Sequence, residues 1–205
     1  MWQREWLQGE VYEKQLEYWR KQLAGSPPVL ELPTDRPRPA LQTTNGSRQS
    51  IQLSWELTES LKRLSQKEGA TLFMTLLTAF KVVLSRYSGQ KDIAVGTPIA
   101  GRNRPEVEGL IGFFINTLVL RSDLSDDPSF RQTSLAAYAH QDLPFEKLVE
   151  ELQPQRDLSH TPLFQVMFGL QNAPAGRMEL PELTLNRLDL DIGTSKFDLT
   201  LLMQE

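Results

Sequence analysis

Two short stretches hold both histidines of this chain and most of its candidate chemistry. In "HQDLPFE", His140 precedes Asp142 by two residues. An imidazole and a carboxylate so close suit an acid–base pair, a metal ligand set, or a helix entry that happens to contain a histidine. In "RDLSHTPL", Asp157, Ser159 and His160 are the three residue types of a hydrolase triad. A triad needs its side chains to converge in space, and residues this close in sequence seldom do so. The nucleophile-elbow pattern is absent as well. The plainer expectation is a turn, with Asp157 and Ser159 bonding local backbone and Pro162 leading into a strand from Phe164. Metal binding is not expected, because neither histidine has a second ligand spaced beside it.

The elements around these residues decide between the readings. Phe145, Leu148, Val149 and Leu152 recur at helical spacing, and Pro154 lies just beyond them. Pro144 suits a first helical turn, and Asp142 suits the N-cap, where a carboxylate accepts backbone N–H groups and faces the positive end of the helix dipole. His140 then falls just outside the helix, as a hydrogen-bonding loop residue.

Composition narrows the rest. The 205 residues suffice for a sizeable core, and 40% apolar with 23% charged is ordinary for a globular chain. A net charge of −4 gives no reason to expect nucleic acid. Without cysteine there is no disulfide, no thiolate nucleophile and no sulfur-based zinc site. No secretory signal or membrane-spanning run is visible, so the expected location is cytoplasmic.

Tyr12, Leu16, Trp19 and Leu23 predict a helix ending near Gly25, with Trp2 and Trp6 extending the spacing upstream. "SPPVLELPTDRPRPALQTTNG" has no period and reads as a long surface crossing. "SRQSIQLS" alternates as a short strand. Leu57, Leu61 and Leu64 mark a second helix closed by Gly69; Thr71 opens a third, "LFMTLLTAFKVVLSRY", apolar on nearly every side and therefore expected to be buried. "DIAVGTPIAG" reads as a strand running into a loop, "RNRPEVEG" as a polar connection, and "FFINTLVLR" as a strand covered on both faces, with Ile115, Val119 and Leu120 in the core. "LTLNRLDLDI" alternates around a bulge-like extra residue, and Phe197, Leu199, Leu201 and Met203 alternate as a last strand. Helices and strands mix throughout, so the class is α/β or α+β.

"IGFFINTLVLR" (111–121), "HQDLPFE" (140–146) and "RDLSHTPL" (156–163) occur in that order and resemble three later signature motifs of condensation domains from nonribosomal peptide synthetases. The sequence between them resembles that family over nearly the whole chain. The resemblance implies an α/β fold like that of chloramphenicol acetyltransferase, a mixed sheet with packed helices. It also implies peptide-bond formation between donor and acceptor groups held as thioesters on phosphopantetheine arms of partner carrier domains, with no cofactor bound directly. It makes Gly112, Arg121, His140, Asp142, Pro144, Arg156 and Asp157 structural motif residues. By position in the family pattern, Thr97 and Ser195 lie near the substrate tunnel, and Asn116, a polar amide in an apolar strand, is expected to face it.

The family's catalytic motif, HHxxxDG, is not in this sequence, which has no two adjacent histidines. Residues 1–205 therefore look like a C-terminal portion, shorter than family members between "DPSF" and "AYAHQD", and inactive in peptide-bond formation alone. Expected partners are carrier domains, an adenylation domain and an N-terminal subdomain, with self-association as a further outcome. The alternatives are a non-catalytic interaction module of the same origin, or an acyltransferase completed by oligomerisation. The last lacks an HxxxD frame at His140 and at His160.

Overall fold

The computed structural model describes residues 6–102, 105–125, 130–154, 157–171 and 192–205. Helix α1 (Gly9–Leu23) buries Leu16, Trp19 and Leu23 and ends before Gly25, whose φ of 69° is open to glycine at little cost. Helix α2 (Trp55–Lys67) starts where the Ser54 hydroxyl accepts the Leu57 N–H at 3.3 Å, and Gly69 closes it with φ 58°. Helix α3 (Leu72–Ser88) starts at Thr71, whose hydroxyl accepts the Met74 N–H at 3.2 Å, and stops at Gly89. The expected all-round burial of α3 is corrected. Met74, Leu77, Lys81 and Leu84 face the core, but Val82, Val83 and Tyr87 lie on an exposed face despite their apolar character.

Strand β1 (Asp92–Ile99) is followed by a short helix α4 (Pro105–Glu108) within the polar connection. Strand β2 (Asn116–Asp123), helices α5 (Phe130–Ala139) and α6 (Phe145–Leu152), and strands β3 (Val166–Gln171) and β4 (Leu199–Gln204) complete the described elements. The sheet order is β2-β1-β3-β4. β1 and β2 are antiparallel in register from Asp92↔Asp123 to Ile99↔Asn116; β3 runs parallel to both β1 and β4. The sheet is therefore mixed, as expected of the fold class.

Both faces of the sheet are covered. Phe168 packs against Phe73 and Phe80 at centroid distances of 5.3 and 5.8 Å, which puts α3 over its face. On the opposite face Arg121 reaches the end of α1, and the Phe164 ring lies over Gly96. Alternation alone would expose every second residue of a one-sided strand. Here Leu118, Val119 and Leu120 are buried in succession because helices lie on both sides. Gly96 permits the Phe164 contact, since a Cβ there would stand 2.3 Å from the ring.

The crossing between α1 and α2 is irregular, as expected, but it is strapped down. Gln165 accepts the Leu30 N–H at 2.8 Å and donates to the Pro28 carbonyl at 3.2 Å; Gln90 accepts the Glu31 N–H at 2.7 Å and donates to the Val29 carbonyl at 3.1 Å. Two side-chain amides thus satisfy a stretch of backbone that no strand pairs.

Two expectations fail here. Residues 47–54 form no strand: Ile51 is 83% exposed, and among the described residues no neighbouring strand supplies the ladder that alternation needs. Ile115 is not core but 56% exposed, because β2 begins one residue later, while Val119 and Leu120 are buried as expected. "LTLNRLDLDI" lies almost wholly outside the described residues, as does Trp2; Phe197 to Met203 leads into β4 as expected.

Candidate functional site

Asn116 opens β2 and faces the turn that enters α6. Its Oδ1 accepts the Phe145 N–H at 3.0 Å and the Thr117 N–H at 2.8 Å. Its Nδ2 donates to the carbonyls of Gln141 and Leu143, both at 2.9 Å. A carboxamide has two donors and two principal acceptor sites, so these four bonds saturate it. In this structure all four go to backbone groups, three of them in the 141–145 turn. Asn116 also takes the place expected of Asp142. The residue preceding α6 is Pro144, in an extended conformation, and no side chain at that position caps the helix. Pro144 thus sits at the N-cap rather than in the first turn. The orphan N–H of Phe145 is satisfied from another strand, and Asp142 lies two residues too early to supply its cap.

His140 follows the last residue of α5. Its Nδ1 donates to the Ala136 carbonyl at 2.8 Å, since a carbonyl only accepts, and its own carbonyl accepts the Trp19 indole N–H at 2.9 Å. The ring stacks on Tyr18, with centroids 3.9 Å apart and planes 7° from parallel. Burial pushes the Tyr18 hydroxyl up to about 12. His140 therefore caps one helix and docks another, as a loop residue outside α6.

Asp157, Ser159 and His160 do converge, contrary to expectation, yet not as a triad. Ser159 Oγ lies 2.6 Å and Asp157 Oδ2 3.1 Å from the same ring atom, His160 Nδ1. A triad needs the acid on one imidazole nitrogen and the nucleophile on the other. The Ser159 N–H donates to Asp157 Oδ1 at 2.7 Å, which makes the expected local turn. The Asp157 carboxyl is held below its ordinary range by those bonds to Ser159, with His160 adding to it. Arg156 lies outside the described residues.

The two remaining tunnel candidates are differently placed. Thr97 shares its face with Ile93 and Val95, under the helices, and is 1% exposed. It is a core residue. Ser195 is half-buried; its hydroxyl donates to the Phe197 carbonyl at 2.6 Å, and its N–H to the Thr44 carbonyl at 2.8 Å.

Arg121 forks onto Asp92 at 2.7 to 3.2 Å and donates to the carbonyls of Gln22 and Ala24 at 2.9 and 2.7 Å. Its cation thus meets the negative end of α1 and a carboxylate together, and its pKa rises through the hydrogen bond to Asp92. Gly112 lies in the loop before β2, where Arg102 packs over the Phe114 ring at 4.4 Å and donates to the Gly112 carbonyl at 3.5 Å.

Lys81 belongs to no motif, and its type alone would place it on the surface. Instead it is 1% exposed, and its Nζ donates to the Leu120 carbonyl and to Ser122 Oγ, each at 2.7 Å. Burial pulls its pKa down to about 7, with Asp92 acting the other way. The sequence does carry a signal for it: Met74, Leu77, Lys81 and Leu84 share one helical stripe.

A cavity of about 10 Å³, bordered by Pro27, Leu30, Asp92 and Gln165 among others, holds no more than one water. Among the described residues no cluster of His, Cys, Asp and Glu is placed to hold a metal.

Comparison with known proteins bears on what this geometry serves. A family model described as "Condensation domain" matches residues 1–205. A linear gramicidin synthase from Brevibacillus parabrevis is 58% identical over 214 aligned positions, covering 100% of this chain and 4% of that protein. The crystal structure of the X-domain from teicoplanin biosynthesis superposes with a TM-score of 0.85 at 28% identity, over 100% of this chain and 48% of that one. A four-domain nonribosomal peptide synthetase bound to AMP and glycine superposes with a TM-score of 0.77 at 28% identity, over 81% of this chain and 13% of that one. The chain thus spans a small part of the synthetases it matches and about half of the solved X-domain.

Proposed function

The chain belongs to the condensation-domain family, and from that membership we propose that it serves peptide-bond formation between two carrier-bound aminoacyl thioesters within a nonribosomal peptide synthetase. The observation that carries this reading is the family match over all 205 residues, together with 58% identity to a gramicidin synthase.

In the proposed reaction the acceptor amine attacks the donor thioester carbonyl. A C–N bond forms, the C–S bond breaks, the thiolate stays on the donor arm and the amine gives up a proton. General-base help with that proton is worth about 10²–10⁴ in rate. His140 and His160 each spend Nδ1 on local fold contacts, and neither is in an HHxxxDG frame. The described residues build scaffold: a covered sheet, an entry turn clamped by Asn116, and a strap that gathers distant segments. The proton acceptor is proposed to come from a companion subdomain, with carrier and adenylation domains as further partners. The multidomain character of the matched synthetase supports those partners.

The test is condensation between the two neighbouring carrier domains, each loaded with the amino acid that its own adenylation domain selects. The synthetase domain containing this sequence is expected to form the dipeptidyl thioester. Hydrolysis of the donor without peptide formation would contradict the reading.

A further inference from the structure

Three segments far apart in the chain meet at Arg38. This residue lies in the proline-rich strap between α1 and α2. Its guanidinium forks onto the Asp198 carboxylate, with Nη1 3.1 Å from Oδ1 and Nη2 on Oδ2, and Nη1 also donates to the Ser159 carbonyl at 3.1 Å. Four residues on, Gln42 repeats the pattern. Its N–H donates to the Leu158 carbonyl at 2.8 Å and its side-chain amide to the Lys196 carbonyl at 3.4 Å. The strap then pairs directly with the same downstream segment, through an antiparallel bridge between Asn45 and Thr194. Gly46 allows that approach, because a Cβ there would stand 2.6 Å from the Ser195 nitrogen.

We propose that Arg38 is a positioning residue for the condensation reaction: through Asp198 and the Ser159 carbonyl it holds the 193–198 segment, with Ser195, against the 157–160 turn. The proposal rests on the function proposed above and on Ser195 lying near the substrates. Arg38 and Asp198 side chains are 28% and 15% exposed, so solvent screens the fork less than it screens a surface pair. The geometry needs arginine in particular. A planar fork reaches both carboxylate oxygens and a carbonyl at once, whereas an ammonium is a single point. The 193–198 segment keeps an apolar anchor of its own, since Phe197 packs on the buried Phe164 ring at 5.2 Å. Losing the fork therefore loosens the segment without dissolving the fold.

The experiment compares wild type, Arg38→Gln and Arg38→Lys in the full condensation domain with its own loaded carrier domains, and follows amide hydrogen exchange in the same proteins. Displacement of a positioning segment by about 1 Å costs up to about 10²-fold in rate, so Arg38→Gln is expected to lower kcat at least tenfold. The KM for either carrier and the melting temperature should change little, and Arg38→Lys should recover only part of kcat. Exchange should quicken at the Ser195 and Asp198 amides, which donate to Thr44 and Gln165, and stay slow in α3 and β1. A wild-type domain that condenses beside an Arg38→Gln domain of undiminished kcat overturns the inference alone. So does unchanged exchange at residues 195 and 198. A wild-type domain that forms no peptide bond overturns the proposed function, and the positioning role with it.

Discussion

The Asn116 carboxamide caps helix α6 from the neighbouring strand: its Oδ1 takes the Phe145 N–H at 3.0 Å, the bond a local N-cap side chain would otherwise supply. The same amide holds the carbonyls of Gln141 and Leu143. Strand β2 and the entry turn of α6 are thereby one unit, although 29 positions separate the two residues.

Removing that amide strands several backbone groups at once. Asn116→Ala is expected to destabilise by about 2–4 kcal/mol, because each buried polar group left unpaired costs about 1–3 kcal/mol. Activity should fall only as far as folding does. Asn116→Asp keeps the acceptor for Phe145 but sets a carboxylate oxygen against the Gln141 and Leu143 carbonyls, and should be no more stable than alanine in chemical denaturation at neutral pH. A loss of activity at full stability would return Asn116 to the substrate.

The pair Arg121–Asp92 invites a double-mutant cycle. Losing one partner of a largely desolvated, forked ion pair costs about 3–5 kcal/mol when fully buried, and the partial exposure of this pair reduces that to about 2–3 kcal/mol. Arg121→Ala should cost more than Asp92→Ala, because it also releases the carbonyls that end α1. Equal single costs would show that the contact with α1 adds nothing.

Much of this scaffold is legible in the sequence, for reasons that separate local from distant causes. Thr71 and Gly89 bound α3 by chemistry within one turn of each end, and the mostly apolar run up to Arg121 marks β2. Distant causes are hidden. Nothing near Pro144 shows that Asn116 will cap α6, so Asp142 is the natural choice from the local pattern. The alternation in residues 47–54 has the strand signal without a strand, because pairing depends on a neighbour. Asp157, Ser159 and His160 show their residue types plainly, but only geometry reveals that two of them share one nitrogen of the third.

Lys81 gives the chain a pH-dependent stability. Its folded pKa lies near 7 and that of an unfolded lysine near about 10.4. Between those values the unfolded state binds more protons, so stability rises with pH across this window, and the full cost of the buried charge is present below it. Lys81→Met removes the dependence. Wild type should therefore gain on the variant in melting temperature from about pH 6 to about pH 9. Parallel melting curves for the two proteins would contradict the burial argument.

Gly96→Ala tests the ring packed on the sheet. The added methyl would meet the Phe164 ring at 2.3 Å, and overpacking of this kind costs about 1–3 kcal/mol. Phe164→Leu alone should also destabilise, by opening space among Phe145 and Phe197. Combined, the two changes should cost less than the sum of the singles. Simple additivity would mean that the ring moves aside freely.

The central claim is that these 205 residues are the scaffold of a condensing domain and do not supply its proton acceptor. Peptide-bond formation between two loaded carrier domains tests it most directly, with the 205-residue chain and the full synthetase domain assayed side by side. The account predicts dipeptidyl thioester from the full domain and none above background from the 205 residues. Turnover by the 205 residues at a rate close to that of the full domain would contradict it, since neither His140 nor His160 stands in an HHxxxDG frame.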